Sequence, residues 1–189
     1  ADAVRAAEAC GADGVVIGNS MSGFAGVDIE TGKPWQGTLG GYSGMAIKPL
    51  MQAKVIECVN AVKIPVIAVG GINTWQDVVE YIMLGAAAVE SVTAVMWQGY
   101  DTLRRMNDEI SAFMDEHGYK TLDDMRGIAL PQIGDYESVL HKPACVADFD
   151  TDKCVACGKC IKTCFYDAIS KENGVMKADP AKCDGCGLC

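Results

Sequence analysis

The chain lacks the features that mark several large classes of proteins. Its 189 residues carry 25 acidic and 16 basic side chains, for a net charge of −9, with no basic stripe, which argues against a nucleic-acid partner. Apolar runs such as residues 64–69 (IPVIAV) are far shorter than the roughly 20 residues of a membrane span, so no membrane association is expected. No secretory signal precedes the first helical pattern. We therefore predict a reduced, cytoplasmic protein.

Histidine is scarce, and no dinucleotide motif is present. His117 and His141 are the two histidines, and neither has a partner at the spacing of a metal site or a catalytic triad. No G-x-G-x-x-G follows a strand, so a dinucleotide-binding fold is not supported. Cys10 and Cys58 lie in apolar helical patterns, where small buried side chains are expected.

Cysteine is abundant, but only near the end of the sequence. Eight of the ten cysteines fall between Cys145 and Cys189, and seven of these form a repeat with an offset of 29 residues. The first run, C-x2-C-x2-C-x3-C, is the spacing of bacterial-type ferredoxins. Zinc is the alternative, but zinc sites use pairs of cysteines and do not need triple runs. The candidate iron ligands are Cys154, Cys157, Cys160, Cys164, Cys183, Cys186 and Cys189.

The ferredoxin spacing also predicts how these ligands are divided between two [4Fe–4S] clusters. In two-cluster ferredoxins, the fourth cysteine of one run binds the cluster held by the other run. Cys164 would therefore join the run that starts at Cys183. The run that starts at Cys154 would take an eighth cysteine at the position matching 193, beyond the sequence, so we expect the ferredoxin domain to be truncated here.

The first 130 residues alternate between strand and helix patterns. Their strands are continuous apolar runs, which is typical of a parallel sheet covered by helices. We predict strands at 14–19, 66–71 and 88–95, and helices at 2–10, 46–62, from Thr74 onward, 101–117 and 121–127, with a glycine-rich loop at 20–44. Residues 131–147 read as a linker, and 148–189 as the ferredoxin-like domain.

Two of these strands end in loops that could hold a phosphate. Gly70 and Gly71 end one strand immediately before a helix, and residues 91–95 (SVTAV) lead from the next strand to another helix. Adjacent loops at the last strands of an α/β barrel form the common phosphate site of that fold. The glycine-rich loop at 40–44 could approach the same ligand.

The order of these motifs resembles dihydropyrimidine dehydrogenase and, more broadly, the dihydroorotate dehydrogenase class of FMN barrels. The resemblance rests on residues 14–35, 40–49, 64–72 and 89–95, followed by the ferredoxin module. It implies that residues 1–130 are the C-terminal part of a (β/α)8 TIM barrel, with its strands six to eight. By position, it implies FMN contacts at Gly44, Val69, Gly70, Gly71, Val92 and Thr93. It implies pyrimidine contacts at Asn19 and Ser20.

The resemblance also implies a function. NAD(P)H would deliver electrons through a FAD-containing partner subunit and the clusters to FMN, and the 5,6 double bond of uracil or thymine would be reduced. The catalytic cysteine of that family lies earlier in the barrel than residue 1, so this piece alone is expected to be inactive. An oligomer is expected as well. Two alternatives stay open, namely a related flavoenzyme acting on another substrate and a plain electron-transfer module with an α/β scaffold.

Overall fold

The computed structural model describes residues 1–134 and 145–189. The chain forms two compact units, Ala1–Ile133 and Gly134–Cys189. The histidine at 141 and most of the predicted linker at 131–147 lie outside the described residues. Within the described part, no helix is long and apolar enough to cross a membrane.

The first unit is built on three parallel strands. The strand Val66–Val69 lies between Val15–Ile17 and Ala88–Glu90, with Val15 opposite Val66 and Ile67 opposite Ala88. This is the order expected for consecutive strands of an α/β barrel. In chain order the elements are α1 (Asp2–Ala9), β1 (Val15–Ile17), β2 (Met21–Gly23), β3 (Gly40–Tyr42), α2 (Lys48–Val59), β4 (Val66–Val69), α3 (Trp75–Met83), β5 (Ala88–Glu90), α4 (Thr93–Gln98) and α5 (Asp101–His117).

The helices cover one face of this sheet. Val66 and Ala68 of β4 are buried in a cluster with Val55 and Met51 of α2 and with Tyr81 of α3. A second cluster joins α3 to α5 through Ile82 and Ile110. The apolar faces of these helices therefore pack against the sheet, and this packing holds the ends of the strands in place.

Several predicted boundaries were wrong. The predicted strand at 88–95 ends at Glu90, and α4 begins at Thr93. The β-branched residues of this stretch favour a strand locally, but Ala94 becomes fully buried when the chain turns into a helix, and tertiary packing overrides the local preference. The glycine-rich loop contains a short antiparallel pair, β2 and β3. Cys58 is buried as predicted, whereas Cys10 is exposed at the end of α1.

Within residues 145–189, the second unit forms a short helix and a hairpin. Helix α6 spans Lys159–Thr163, and strands β6 (Ile169–Glu172) and β7 (Val175–Ala178) pair antiparallel. Asn173 and Gly174 connect the strands with φ values of 50° and 85°, the positive angles that a two-residue I′ turn requires. Ile169 of β6 and Met176 of β7 are buried.

Candidate functional site

One cavity lies at the carboxyl ends of the three parallel strands. Its volume is about 310 Å³. Parallel strands end at the same edge of a sheet, so the loops that follow them converge there. All eight residues that the resemblance proposes for FMN and pyrimidine line this cavity, namely Asn19, Ser20, Gly44, Val69, Gly70, Gly71, Val92 and Thr93. Their individual roles stay predictions.

The loop after β4 is held tightly against the start of α2. Gly71 has a φ of +78°, and a Cβ built on it would lie 2.7 Å from the backbone N of Lys48 and closer still to the Cα atom of that residue. Such a contact with backbone cannot be relieved by a side-chain rotation. The buried hydroxyl of Tyr81 donates to the Gly70 carbonyl at 2.8 Å. Glycine is therefore required at position 71, and the Tyr81 hydroxyl fixes the backbone of the loop at Gly70.

A charged network supports the same loop. Lys48 forms ion pairs with Asp77 and, at 2.7 Å, with Glu80. Burial alone would raise the pKa of Asp77, but hydrogen bonds from Lys48 and from the Asn73 and Thr74 backbone outweigh burial and hold that pKa below its ordinary value. Burial alone would lower the pKa of Lys48, but its bonds to the two carboxylates raise it. Lys48 and Asp77 therefore stay charged near neutral pH.

The capping of α3 decides where an anion can be held. The predicted capping box is present, since Thr74 accepts from the Asp77 backbone N–H, while the Asp77 side chain accepts from the backbone N–H groups of Asn73 and Thr74, each at 2.8 Å. These donors are therefore not available to a phosphate. Helix α4 has no side-chain cap at Val92, and its first residue, Thr93, lines the cavity. On the side that faces the cavity, the two loops therefore leave Gly70, Gly71 and the start of α4 available to an anion.

Hydrogen bonds tie these two loops together. Ser91 donates from its hydroxyl to the Ile72 carbonyl at 2.9 Å, and the Gln98 amide donates to the Asn73 carbonyl at 3.0 Å. On the facing loop, the Thr93 hydroxyl donates to the Ser43 hydroxyl at 3.3 Å. These loops are therefore held in place by contacts that involve no ligand.

Asn19 and Ser20 follow the end of β1 and line the same cavity. The Asn19 amide oxygen accepts from the Ser20 backbone N–H at 2.7 Å and from the Ser20 hydroxyl at 3.3 Å. These bonds fix the orientation of the amide through its oxygen and do not use the NH2 group of this cavity-lining residue. An amide N–H is a suitable donor for a ring carbonyl.

Several lining residues were not predicted from the sequence. Ile47 and Ile72 supply apolar wall, Met96 lies at the rim, and Ser43, Ser91 and Gly41 complete the lining. Met96 was missed because the stretch just before it, 88–95, was assigned to a strand, so no helix was expected at this position. Ser43 belongs to the glycine-rich loop that was noted, so its position next to Gly44 was the available signal.

A second cavity, of about 290 Å³, lies within the second unit. Its lining includes the four cysteines that the ferredoxin pattern assigns to one cluster, Cys164, Cys183, Cys186 and Cys189. The Ala147 and Ala168 backbone N–H groups donate to the Cys183 and Cys164 sulfurs, each at 3.4 Å. Cysteine sulfurs that share one cavity and accept backbone N–H bonds fit the ligand chemistry of an iron–sulfur cluster.

The first cysteine run lines a neighbouring cavity of about 330 Å³. Cys154, Cys157 and Cys160 face it, and Cys189 lines both cavities. Among residues 1–134 and 145–189, no three histidine, cysteine or acidic side chains are close enough to bind one metal ion together. Four-iron clusters spread their cysteines over four separate irons, so this finding concerns single-ion sites.

Comparison with known proteins places both units in families. Residues 1–114 match the dihydroorotate dehydrogenase family, and residues 147–170 match the 4Fe–4S binding domain. The first match covers more than half of the chain. The predicted fold class, a barrel-type flavoenzyme region followed by a ferredoxin-type domain, is thereby confirmed.

Two kinds of relatives are similar to this chain. The catalytic subunit of dihydroorotate dehydrogenase B (NAD(+)) from Pyrococcus abyssi is 40% identical over 126 residues, 66% of the chain and 42% of that relative. The corresponding subunit of Methanosarcina acetivorans is 42% identical over 126 residues, 66% of the chain and 40% of that relative. The NAD-dependent dihydropyrimidine dehydrogenase subunit PreA of Escherichia coli is 30% identical over 168 residues, 85% of the chain and 41% of that relative. The chain thus spans about two fifths of these relatives.

Proposed function

The chain belongs to the dihydroorotate dehydrogenase family of FMN oxidoreductases and carries a ferredoxin-type 4Fe–4S domain, and from this premise we propose that the full-length protein reduces the 5,6 double bond of uracil or thymine. The electrons would come from NAD(P)H by way of a flavin-containing partner subunit. Within the chain we assign residues 1–130 to the FMN barrel, 131–147 to a linker and 148–189 to the cluster domain.

The extent of the match to the dihydropyrimidine dehydrogenase subunit carries this proposal. That alignment covers 85% of the chain, which is more than the 133 residues of the first unit can supply, so it must continue into the cysteine-rich unit. The dihydroorotate dehydrogenase B relatives align over 126 residues, which the first unit alone can supply. A barrel joined to a ferredoxin module in one chain therefore favours the pyrimidine-reducing relative.

The cavity at the strand ends supplies what FMN binding needs. We propose that Gly70, Gly71 and Thr93 bind the phosphate, with Gly44, Val69 and Val92 in contact with the rest of the cofactor. FMN, when bound, supplies hydride chemistry to a ring double bond. The network beneath the loop holds the glycine backbone rigid, so little conformational freedom is lost on binding.

Asn19 and Ser20 would hold the pyrimidine. Uracil presents two carbonyl oxygens and two ring N–H groups along its edge, so it needs both donors and acceptors. The Asn19 NH2 group donates to a carbonyl, and the Ser20 hydroxyl can do either. A site of this kind rejects rings that lack the matching groups because its own polar atoms would be left unpaired.

An isosteric substitution tests this assignment. We expect Asn19→Asp in the full-length protein to lose the donor and to set a carboxylate against the ring carbonyl. Losing one such bond costs about 1–3 kcal/mol, so kcat/KM for uracil should fall roughly tenfold to hundredfold. Reduction of the bound flavin by the electron donor should not change.

The matched control is Asn107→Asp, which adds the same charge on the exposed face of α5. Uracil turnover should remain normal in that variant. Normal uracil turnover by Asn19→Asp would show instead that the side chain only caps the turn after β1.

Dihydroorotate oxidation is the second candidate. The observation that favours it is the higher identity, 40–42% against 30%, of the dihydroorotate dehydrogenase B relatives. Orotate carries a ring carboxylate that uracil lacks, so an orotate site needs a cationic or strongly donating partner. Comparing uracil with orotate as the electron acceptor distinguishes the two candidates.

A further inference from the structure

The two cluster cavities of the second unit are unequal in charge. Among the described residues, the cavity of the Cys183 run is lined by two acidic side chains, Asp148 and Asp184, and by no lysine. The cavity of the Cys154 run is lined by two lysines, Lys153 and Lys159, as well as by two aspartates. The repeat itself explains part of the difference, since Asp184 follows the first cysteine of its run where Val155 follows the first cysteine of the other.

The contacts of these charged groups sharpen the contrast. Lys153 forms an ion pair with Asp150 at 2.8 Å, which leaves Lys159 and Asp148 as the other charged groups of that lining. Asp148 lines both cavities, so the contrast between them depends on Lys159 and Asp184. Lys171 adds a second cation, because its ammonium group donates to the Ala156 carbonyl, in the middle of the same run, at 3.4 Å. In the other cavity, the Asp184 carboxylate accepts from the Tyr166 hydroxyl at 2.9 Å, and no cation pairs with it among the described residues.

We propose that Asp184 and the pair Lys159 and Lys171 set the reduction potentials of the two clusters in opposite directions, so that the Cys154-run site is reduced first. The potential of an iron–sulfur cluster depends on the charge around it and on hydrogen bonds to its sulfurs. Reduction adds one negative charge, which nearby cations stabilise and a nearby carboxylate opposes. The step is a one-electron transfer in which no bond forms or breaks.

Hydrogen bonds to sulfur act against this order. The recorded N–H donors to Cys164 and Cys183, at 3.4 Å, stabilise the reduced state of the Cys183-run site. They are long contacts from neutral amides, whereas the lysines and Asp184 carry full charges beside the clusters. Full charges outweigh two such dipoles, so the Cys154-run site keeps the higher potential. The proposal goes beyond the proposed function and does not depend on which ring is the substrate.

Charge-removing variants of the full-length protein with its clusters test the proposal. The measurement is a potentiometric titration in which dithionite supplies the electrons and electron paramagnetic resonance follows each cluster. Asp184→Asn keeps an acceptor for the Tyr166 hydroxyl but removes the charge, so it should raise the lower potential. Lys159→Gln and Lys171→Gln should each lower the higher one. We expect about a tenfold change in the ratio of reduced to oxidised cluster per charge, which is ~59 mV for one electron.

Two control variants remove charges elsewhere in the same unit. Lys177 and Glu172 pair with each other on the β6–β7 hairpin at 2.8 Å and line neither cluster cavity. Lys177→Gln and Glu172→Gln should leave both potentials unchanged. Iron content is measured first for every variant, and the lysine variants decide the matter if Asp184→Asn loses its cluster. The proposal would be overturned if the cavity and hairpin variants shifted the reduction potentials equally. It would also be overturned if Lys159→Gln or Lys171→Gln lowered the potential of the cluster that is harder to reduce.

Discussion

Replacing Gly71 by alanine is the sharpest perturbation of the proposed FMN loop. The added Cβ would meet the backbone of Lys48, including its N atom at 2.7 Å, at a residue whose φ is +78°. Because the neighbouring atoms are backbone, either the loop or the start of α2 must move. The loop lines the cavity and the start of α2 adjoins its wall, so movement of either one should weaken binding of the cofactor.

The loss of stability caused by Gly71→Ala can be separated into two parts by comparison with Gly118→Ala. That glycine ends α5 with a φ of +74°, and a Cβ there would meet nothing within 4 Å. Gly118→Ala should therefore cost only the left-handed backbone penalty, about 1–2 kcal/mol. Gly71→Ala adds an overpacking cost of about 1–3 kcal/mol. The difference between the two variants measures the close approach of the loop to α2.

The assay is FMN binding and unfolding of the full-length protein. We expect Gly71→Ala to weaken FMN binding at least tenfold, about 1.4 kcal/mol, as measured by flavin fluorescence, and to unfold at a lower denaturant concentration than Gly118→Ala. Gly118→Ala should bind FMN normally. Equal FMN affinity in the two variants would refute the view that this loop holds the cofactor.

Two further predictions concern the buried tyrosine and the cluster ligands. Burial raises the pKa of Tyr81 from 10.0 to about 12, so its neutral hydroxyl stabilises the fold fully below pH 10 and this contribution is lost as the pH rises toward 12. Denaturant unfolding of Tyr81→Phe should therefore show a smaller loss of stability between pH 10 and 12 than wild type, and an identical loss would contradict the role of burial. Cys164→Ser should remove one cluster, about four irons, from the full-length protein, whereas Cys10→Ser, at an exposed site in the other unit, should keep its full iron content.

The parallel sheet could be predicted from the sequence because its signals are local. The three apolar strand segments, the Thr74 capping box and the helix at 101–117 each depend on residues close together in the chain. The resemblance to the FMN barrels predicted that Asn19, Gly44 and Gly71 would line one cavity, and for Asn19 and Gly71 this agrees with the edge that the carboxyl ends of parallel strands share.

Other features depend on contacts that no short window contains. The start of α4 was missed because burial of Ala94, and not local propensity, turns residues 93–95 into a helix. The role of Lys48 was invisible because its partner Asp77 lies 29 residues away. The capping box at Thr74 and Asp77 is local and was predicted, but its consequence was not drawn from the sequence: Asp77 occupies the backbone donors before α3, which moves the expected anion position toward the start of α4.

The most direct test of the proposed function is anaerobic reoxidation of the reduced full-length protein. The protein, loaded with FMN and clusters, is reduced with dithionite, freed of excess reductant and mixed with uracil, thymine or orotate, so that no partner subunit is needed. The account predicts rapid return of flavin absorbance with uracil or thymine, together with formation of the 5,6-dihydropyrimidine, and little response to orotate. Return of the flavin absorbance with orotate but not with uracil or thymine would contradict the account and would establish the dihydroorotate reaction instead.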